Sequence, residues 1–130
     1  MRPRSAPQPV APPVVRPCQS QDAGAIAALL RELSETAARV RRFLSDCRAA
    51  PGVYSNYLAE LDGRAAGFLS AVFYETPFHA KGTCLINELV VARGARGRGV
   101  GRGLVETVRE EARRRGFDEE YVLLGQEFEQ

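Results

Sequence analysis

Apolar positions fall into two rhythms along this chain. Between residues 20 and 50 they recur at helical spacing. Ile26, Leu29, Leu30 and Leu33 share one face behind Ser20 or Asp22, either of which can cap a helix start. Ala37, Val40, Phe43, Leu44 and Cys47 form a second stripe behind Ser34, and Pro51-Gly52 closes this region. The period then shortens. Tyr54 to Leu61 reads as a strand, Asp62-Gly63 as a two-residue hairpin turn, and Ala66 to Tyr74 as the strand that pairs back. A loop from Thr76 to Gly82 leads to Thr83–Val91, an apolar strand interrupted only by Asn87-Glu88. Val14-Val15-Arg16-Pro17 predicts a short first strand, which Pro17 ends or confines to an edge. Val100, Leu104, Val108 and Ala112, widened by Val105, predict a third helix that Gly116 stops. Tyr121 to Phe128 predicts a closing strand, with Gly125 marking a bulge.

Strands and helices interleaved in this way predict a mixed α/β domain over residues 14–130. Residues 1–13, rich in Pro and Ala, read as a disordered tail. The chain has 130 residues, 45% hydrophobic and 26% charged, enough for one globular domain. A net charge of +2 falls short of a dedicated nucleic-acid binder. No apolar run reaches the ~18–20 residues of a membrane span. Cys18, Cys47 and Cys84 are odd in number and widely spaced. They predict neither a disulfide framework nor a metal site, and fit a reducing cytoplasm.

The stretch that carries chemistry is Arg93-Gly94-Ala95-Arg96-Gly97-Arg98-Gly99-Val100-Gly101-Arg102-Gly103. It joins an apolar strand to an amphipathic helix. Glycines let successive N–H groups converge on one spot, and the helix N-terminus adds partial positive charge, so the pattern predicts a phosphate site. A mononucleotide P-loop is excluded, because its Gly-Lys-Ser/Thr is absent and Lys81 is the only lysine. The dinucleotide spacing fails as well, since Arg102 or Leu104 stands where the last glycine belongs. A rival reading is an arginine-glycine nucleic-acid segment, which ordinarily lies in disordered chain rather than between a strand and a helix.

Arg96-x-x-Gly99-x-Gly101 opening a helix after Asn87-Glu88-Leu89-Val90-Val91 resembles the GCN5-related N-acetyltransferase (GNAT) family. The Arg16-Pro17 and Asp22-Ala23 pairs, the two helices and the aspartyl-glycine hairpin extend the resemblance from Val14 to the end. It implies a twisted, mostly antiparallel sheet with helices on both faces, and acetyl transfer from acetyl-coenzyme A to a primary amine. It further implies that Leu89, Val90 and Val91 pair with the pantetheine arm. Arg96, Gly97, Arg98, Gly99, Val100, Gly101 and Arg102 would hold the pyrophosphate, and no metal is required. Other readings are a coenzyme A-binding relative of little or no activity, and the nucleic-acid module.

Acetyl transfer needs a base for the amine, donors for the developing oxyanion and a proton for the leaving thiolate. Glu88 is the candidate base, directly or through a water. It stands in an apolar strand beside the expected thioester, where desolvation raises a carboxyl pKa. The alternative places Glu88 on the solvent side of the pleat, since strict alternation lets only one of Asn87 and Glu88 face the cleft. Backbone N–H groups near Leu89 or Val90 would serve the oxyanion. His79 reads as a surface histidine and Cys84 as core.

The chain departs from the family after Gly116. There the end of the glycine-loop helix runs directly into a Gly-Phe segment that normally follows a further strand and helix, including a tyrosine often assigned as the acid. Either the closing strand moves beside Thr83–Val91 as a parallel replacement, or the sheet keeps an open edge that invites a homodimer. Tyr121 does not inherit the acid role.

Overall fold

The computed structural model describes residues 12–30, 36–77, 81–117 and 119–122, the last four as backbone. Five strands form one sheet in the order β1-β2-β3-β4-β5. They are β1 (Val14–Pro17), β2 (Tyr54–Leu61), β3 (Arg64–Glu75), β4 (Gly82–Val91) and β5 (Glu119–Val122). Neighbours from β1 to β4 are antiparallel, while β5 runs parallel to β4. Helices α1 (Ala23–Leu29) and α2 (Ala37–Arg48) cover one face, and α3 (Val100–Arg114) covers the other.

Local chemistry explains much of this. Asp62 and Gly63 both adopt positive φ, at 51° and 77°, as a two-residue hairpin matching the strand twist requires. β1 pairs only with β2, so Pro17 does sit on an edge strand. α2 starts at Thr36, whose side chain accepts a hydrogen bond from Arg39 N; Ser34 and Leu33 lie outside the described residues. α3 ends as Gly116 turns to φ +81° and Phe117 N donates to Ala112 O at 2.9 Å, the closure that favours glycine after a helix.

The start of α1 differs from expectation. A 3-10 turn over Ser20–Asp22 precedes it, capped by Gln19, and no side chain caps α1 itself. Asp22 is engaged elsewhere. Its carboxylate accepts two hydrogen bonds of 2.8 Å from Arg16 and one of 2.7 Å from Gln19 N. Arg16 also donates to Glu60 of β2 at 3.1 Å, so one guanidinium ties β1 both to its neighbouring strand and to the turn that leads into α1.

Each face has its own core. Leu104 and Val108 of α3 pack on Leu69, Ala71, Ile86 and Leu89. Ile26, Val40 and Leu44 pack on Leu58 and Phe68. β5 pairs with β4 from Thr83↔Glu119 to Ile86↔Val122. The strand after α3 therefore occupies the parallel place beside β4. Of the two sequence alternatives, the replacement is observed; residues 123–128 of the expected strand lie outside the described residues.

Candidate active site

The glycine loop is anchored at both ends. Ala92 N donates to Ala66 O at 2.8 Å, and Arg93–Ala95 forms a 3-10 turn that buries Ala95. Gly97 and Gly99 then take φ values of 80° and 81°. Gly99 is the residue from which α3 starts, and it has no side chain with which to cap the first turn. Its N–H groups thus remain for an external acceptor. Val100, 1% exposed, plugs the helix start into the core. It reaches the sheet because β3 carries Gly67 directly below. A Cβ there would stand 2.6 Å from Val100 Cγ1 and 3.0 Å from Leu104 Cδ1.

The loop and α3 border an open groove of about 610 Å³. Val91, Arg96, Gly97, Gly99, Val100, Gly101 and Arg102 line it, seven of the positions marked by sequence. Leu89 and Val90 do not. Leu89 is buried beneath α3, and Val90 packs toward α1 and α2. Arg98 instead approaches Asp62 of the hairpin, at 3.9 Å. Val105, Glu106 and Arg109 complete the wall. The periodicity marks Glu106 and Arg109 only as wet-face residues; the i, i+4 spacing of Glu106 from Arg102 and of Arg109 from Val105 was the available signal. Arg96, Arg102 and Arg109 against Glu106 give the groove a cationic balance suited to a polyanion.

Glu88 lies on the other face of the sheet. Ser70 pairs with Glu88 and Ala71 with Ile86, so Asn87 is an extra residue in a β-bulge. Strict alternation does not hold through this bulge. Ile86 and Leu89, three residues apart, both join the core beneath α3. Glu88 lines a pocket of about 200 Å³ walled by Ile26 and Leu30, Val40 and Phe43 of α2, and Phe68 and Ser70 of β3, with Arg39 also at its wall. Glu88 is partly buried there. Among the described residues, β5 pairs with Thr83–Ile86 of β4, while Glu88 to Val91 pair with β3 on the other side.

The remaining candidates carry no evident chemistry. Cys84 is fully buried in the core. Burial pushes the Cys18 thiol up to about 12 and also raises that of Cys47, which disfavours a nucleophilic thiolate. His79 lies outside the described residues, as does the side chain of Tyr121. Among the described residues no group of three His, Cys, Asp or Glu could hold a metal ion, and no helix is long and apolar enough to cross a membrane.

This combination of sheet, layered helices and glycine turn defines an acyltransferase-type α/β fold, and comparison with known proteins agrees. The family model for the acetyltransferase (GNAT) family matches residues 21–127, and the chain belongs to that family. No curated protein matches it significantly in sequence. Among solved structures it is similar to glucosamine-6-phosphate N-acetyltransferase from Arabidopsis thaliana, at 18% identity and a TM-score of 0.76, covering 88% of this chain and 84% of that one. An aminoglycoside N-acetyltransferase in complex with CoA is 17% identical, with a TM-score of 0.75, covering 93% and 82%. A transcriptional regulator from Bacillus halodurans C-125 is 17% identical, with a TM-score of 0.76, covering 88% and 83%. At these identities the likeness speaks to fold, and acetyl-CoA is the donor the family membership supports.

Proposed function

We propose that this chain transfers the acetyl group of acetyl-CoA to a primary amine. The supporting observation is the placement of two sites on opposite faces of β4. A cationic groove opens at the uncapped N-terminus of α3, and a carboxylate-bearing pocket lies beneath α1 and α2. The segment from Glu88 to Val91 borders both, with Val91 lining the groove and Glu88 the pocket.

The residues present fit the donor. The first-turn N–H groups of Val100, Gly101 and Arg102 offer pyrophosphate ligands, with Gly97 and Gly99 leaving room for close approach. Arg96 and Arg102 supply charge, and Arg98 serves from the outer side of the loop. Backbone groups of Leu89, Val90 and Val91 bind the amides of the pantetheine arm, while their side chains are committed to packing. One of these N–H groups steadies the oxyanion as the thioester carbon becomes tetrahedral. Glu88 accepts the proton that the acceptor ammonium must lose, directly or through a water. The amine nitrogen then bonds to the acetyl carbon, the carbon–sulfur bond breaks, and the thiolate leaves to be protonated as coenzyme A.

Calorimetric titration with acetyl-CoA, followed by a thiol-release assay over a panel of amines, tests this reading. Binding that Arg96→Ala with Gly99→Glu abolishes, together with amine-dependent thiol release, is the expected result. Binding without turnover would leave a coenzyme A-binding protein and sink the enzyme. Binding that survives the double substitution would show the phosphates lie elsewhere.

A further inference from the structure

A further cavity opens at the edge of the sheet, where β1 stops. Cys18 N donates to Asn56 O at 2.8 Å, and the chain then leaves for the turn over Ser20–Asp22. β2 runs on without that neighbour, so Tyr54 has no strand beside it on this side among the described residues. The space left between the ends of α2 and α3 measures about 430 Å³, within the roughly 300–1,000 Å³ common to small-molecule sites. It is separate from the loop groove. Arg102 lines the groove and Glu111 this cavity, about two and a half turns apart on α3 and therefore on opposite flanks of the helix.

The polar groups of the wall ask for an amide and an anion. Asn56 Oδ1 is buried and has no hydrogen-bond partner. The same carboxamide hydrogen-bonds the Cys47 thiol, which leaves its oxygen unmet. A buried acceptor without a partner is costly, and a ligand N–H would satisfy it. Arg48 stands at the cavity as the exposed last residue of α2. Among the described residues its guanidinium has no ion pair or hydrogen bond. Glu111 does not neutralise it, because both carboxylate oxygens are engaged. Oε1 accepts from Tyr57 at 2.7 Å, and Oε2 accepts from Ser55 at 2.8 Å and Arg115 at 2.9 Å. Burial pushes the Cys18 thiol up to about 12 and raises that of Cys47, so neither carries charge at neutral pH. Asp46 sits just over half a turn round α2 from Arg48, outside the lining. The rest of the wall, from Pro17, Leu44, Pro51 and the Tyr54 ring, is apolar or aromatic.

We infer that this cavity is a second ligand site, for a small N-acylamino carboxylate with an apolar side chain. The carboxylate meets Arg48 in a charge-assisted hydrogen bond. The amide N–H meets Asn56 Oδ1, beside the open edge of β2 at Tyr54. The side chain lies between Leu44 and Pro51.

NMR titration of the full chain, with and without saturating acetyl-CoA, tests this with N-acetyl-L-leucine, N-acetyl-L-leucinamide and 4-methylpentanoate. The second probe lacks the carboxylate and the third lacks the amide. N-acetyl-L-leucine is expected to saturate with a Kd of about 1 mM or tighter, unaffected by acetyl-CoA. Its shifts should centre on Arg48 and on Tyr54 to Tyr57, and each of the other probes should bind at least about tenfold more weakly. Arg48→Gln, at an exposed position, should weaken N-acetyl-L-leucine about tenfold and erase its advantage over the leucinamide. A merely structural role for Arg48 would not remove that discrimination. No saturation by about 10 mM, equal binding of the three probes, or unchanged affinity in Arg48→Gln overturns the site. So does displacement by acetyl-CoA, or shifts confined to the loop groove or the Glu88 pocket.

Discussion

Gly67→Ala adds one methyl group where the sheet meets the start of α3. The backbone at Gly67 is not left-handed, so alanine fits the strand without strain. Conformational preference alone would even favour it, by about 0.5–1 kcal/mol. Packing decides the sign. The new Cβ would stand 2.6 Å from Val100 Cγ1, 3.0 Å from Leu104 Cδ1 and 3.1 Å from Val90 O. Leu104 can swing its terminal methyl, but Val100 is β-branched, held to one rotamer in a helix and 1% exposed. The helix start must therefore lift from the sheet, an overpacking that costs about 1–3 kcal/mol. The net expectation is a loss of about 1–2 kcal/mol, or roughly 4–8 °C in Tm for a domain of this size. Val100 directly follows Gly99, so the shift lands on the turn assigned to the pyrophosphate, and acetyl-CoA affinity should fall with it. Thermal unfolding and calorimetric titration of Gly67→Ala, Val100→Ala and the pair make the measurement. The double variant should be less destabilised than the sum of the singles, by about 1 kcal/mol or more. A Gly67→Ala protein as stable as the parent, binding acetyl-CoA equally well, would refute the close-approach argument.

Three further outcomes follow from named contacts. Asp22 is held below its ordinary carboxyl pKa first by Arg16, then by Gln19 N–H. Its contribution is therefore present above about pH 4 and lost as pH falls through the depressed value. Asp22→Asn should cost about 1–3 kcal/mol at pH 7 in urea unfolding, with the gap closing below pH 4; a gap constant from pH 2.5 to 7 would contradict the pairing. Glu111 accepts from Tyr57 Oη at 2.7 Å, Ser55 Oγ at 2.8 Å and Arg115 at 2.9 Å. Burial first, and Glu111 second, raise the Tyr57 pKa, so this stabilisation is intact below pH 10 and lost at higher pH. Glu111→Gln should bring the Tyr57 ionisation down in a spectrophotometric titration, and an unmoved curve would count against the contact. Glu88→Gln should lower kcat by about 10²-fold or more and erase the acidic limb of the pH–rate profile, whereas an unchanged profile would remove Glu88 as base.

What the sequence made legible is what short-range chemistry controls. Asp62-Gly63 announces its hairpin because few other pairs accept positive φ twice. The glycine loop announces a phosphate site because strand, turn and helix are contiguous. The hidden features depend on residues far apart in the chain. Gly67 reads as a weak strand position until α3 is laid across it, and only then does the lack of a Cβ become a requirement. The pairing of Arg16 with Asp22 and Glu60 joins an edge strand, a 3-10 turn and β2, so no local pattern announces it. The bulge at Asn87 matters most for function. Alternation along β4 leaves open whether Asn87 or Glu88 faces a cleft, because period-two reasoning assumes an unbroken ladder. One inserted residue re-phases the strand, so that Leu89 returns to the core under α3 while Glu88 enters the pocket beneath α1 and α2. A single irregularity in β4 thus accounts for both the orientation of the carboxylate and the return of Leu89 to the core. The candidate chemistry depends on that combination more than on any one side chain.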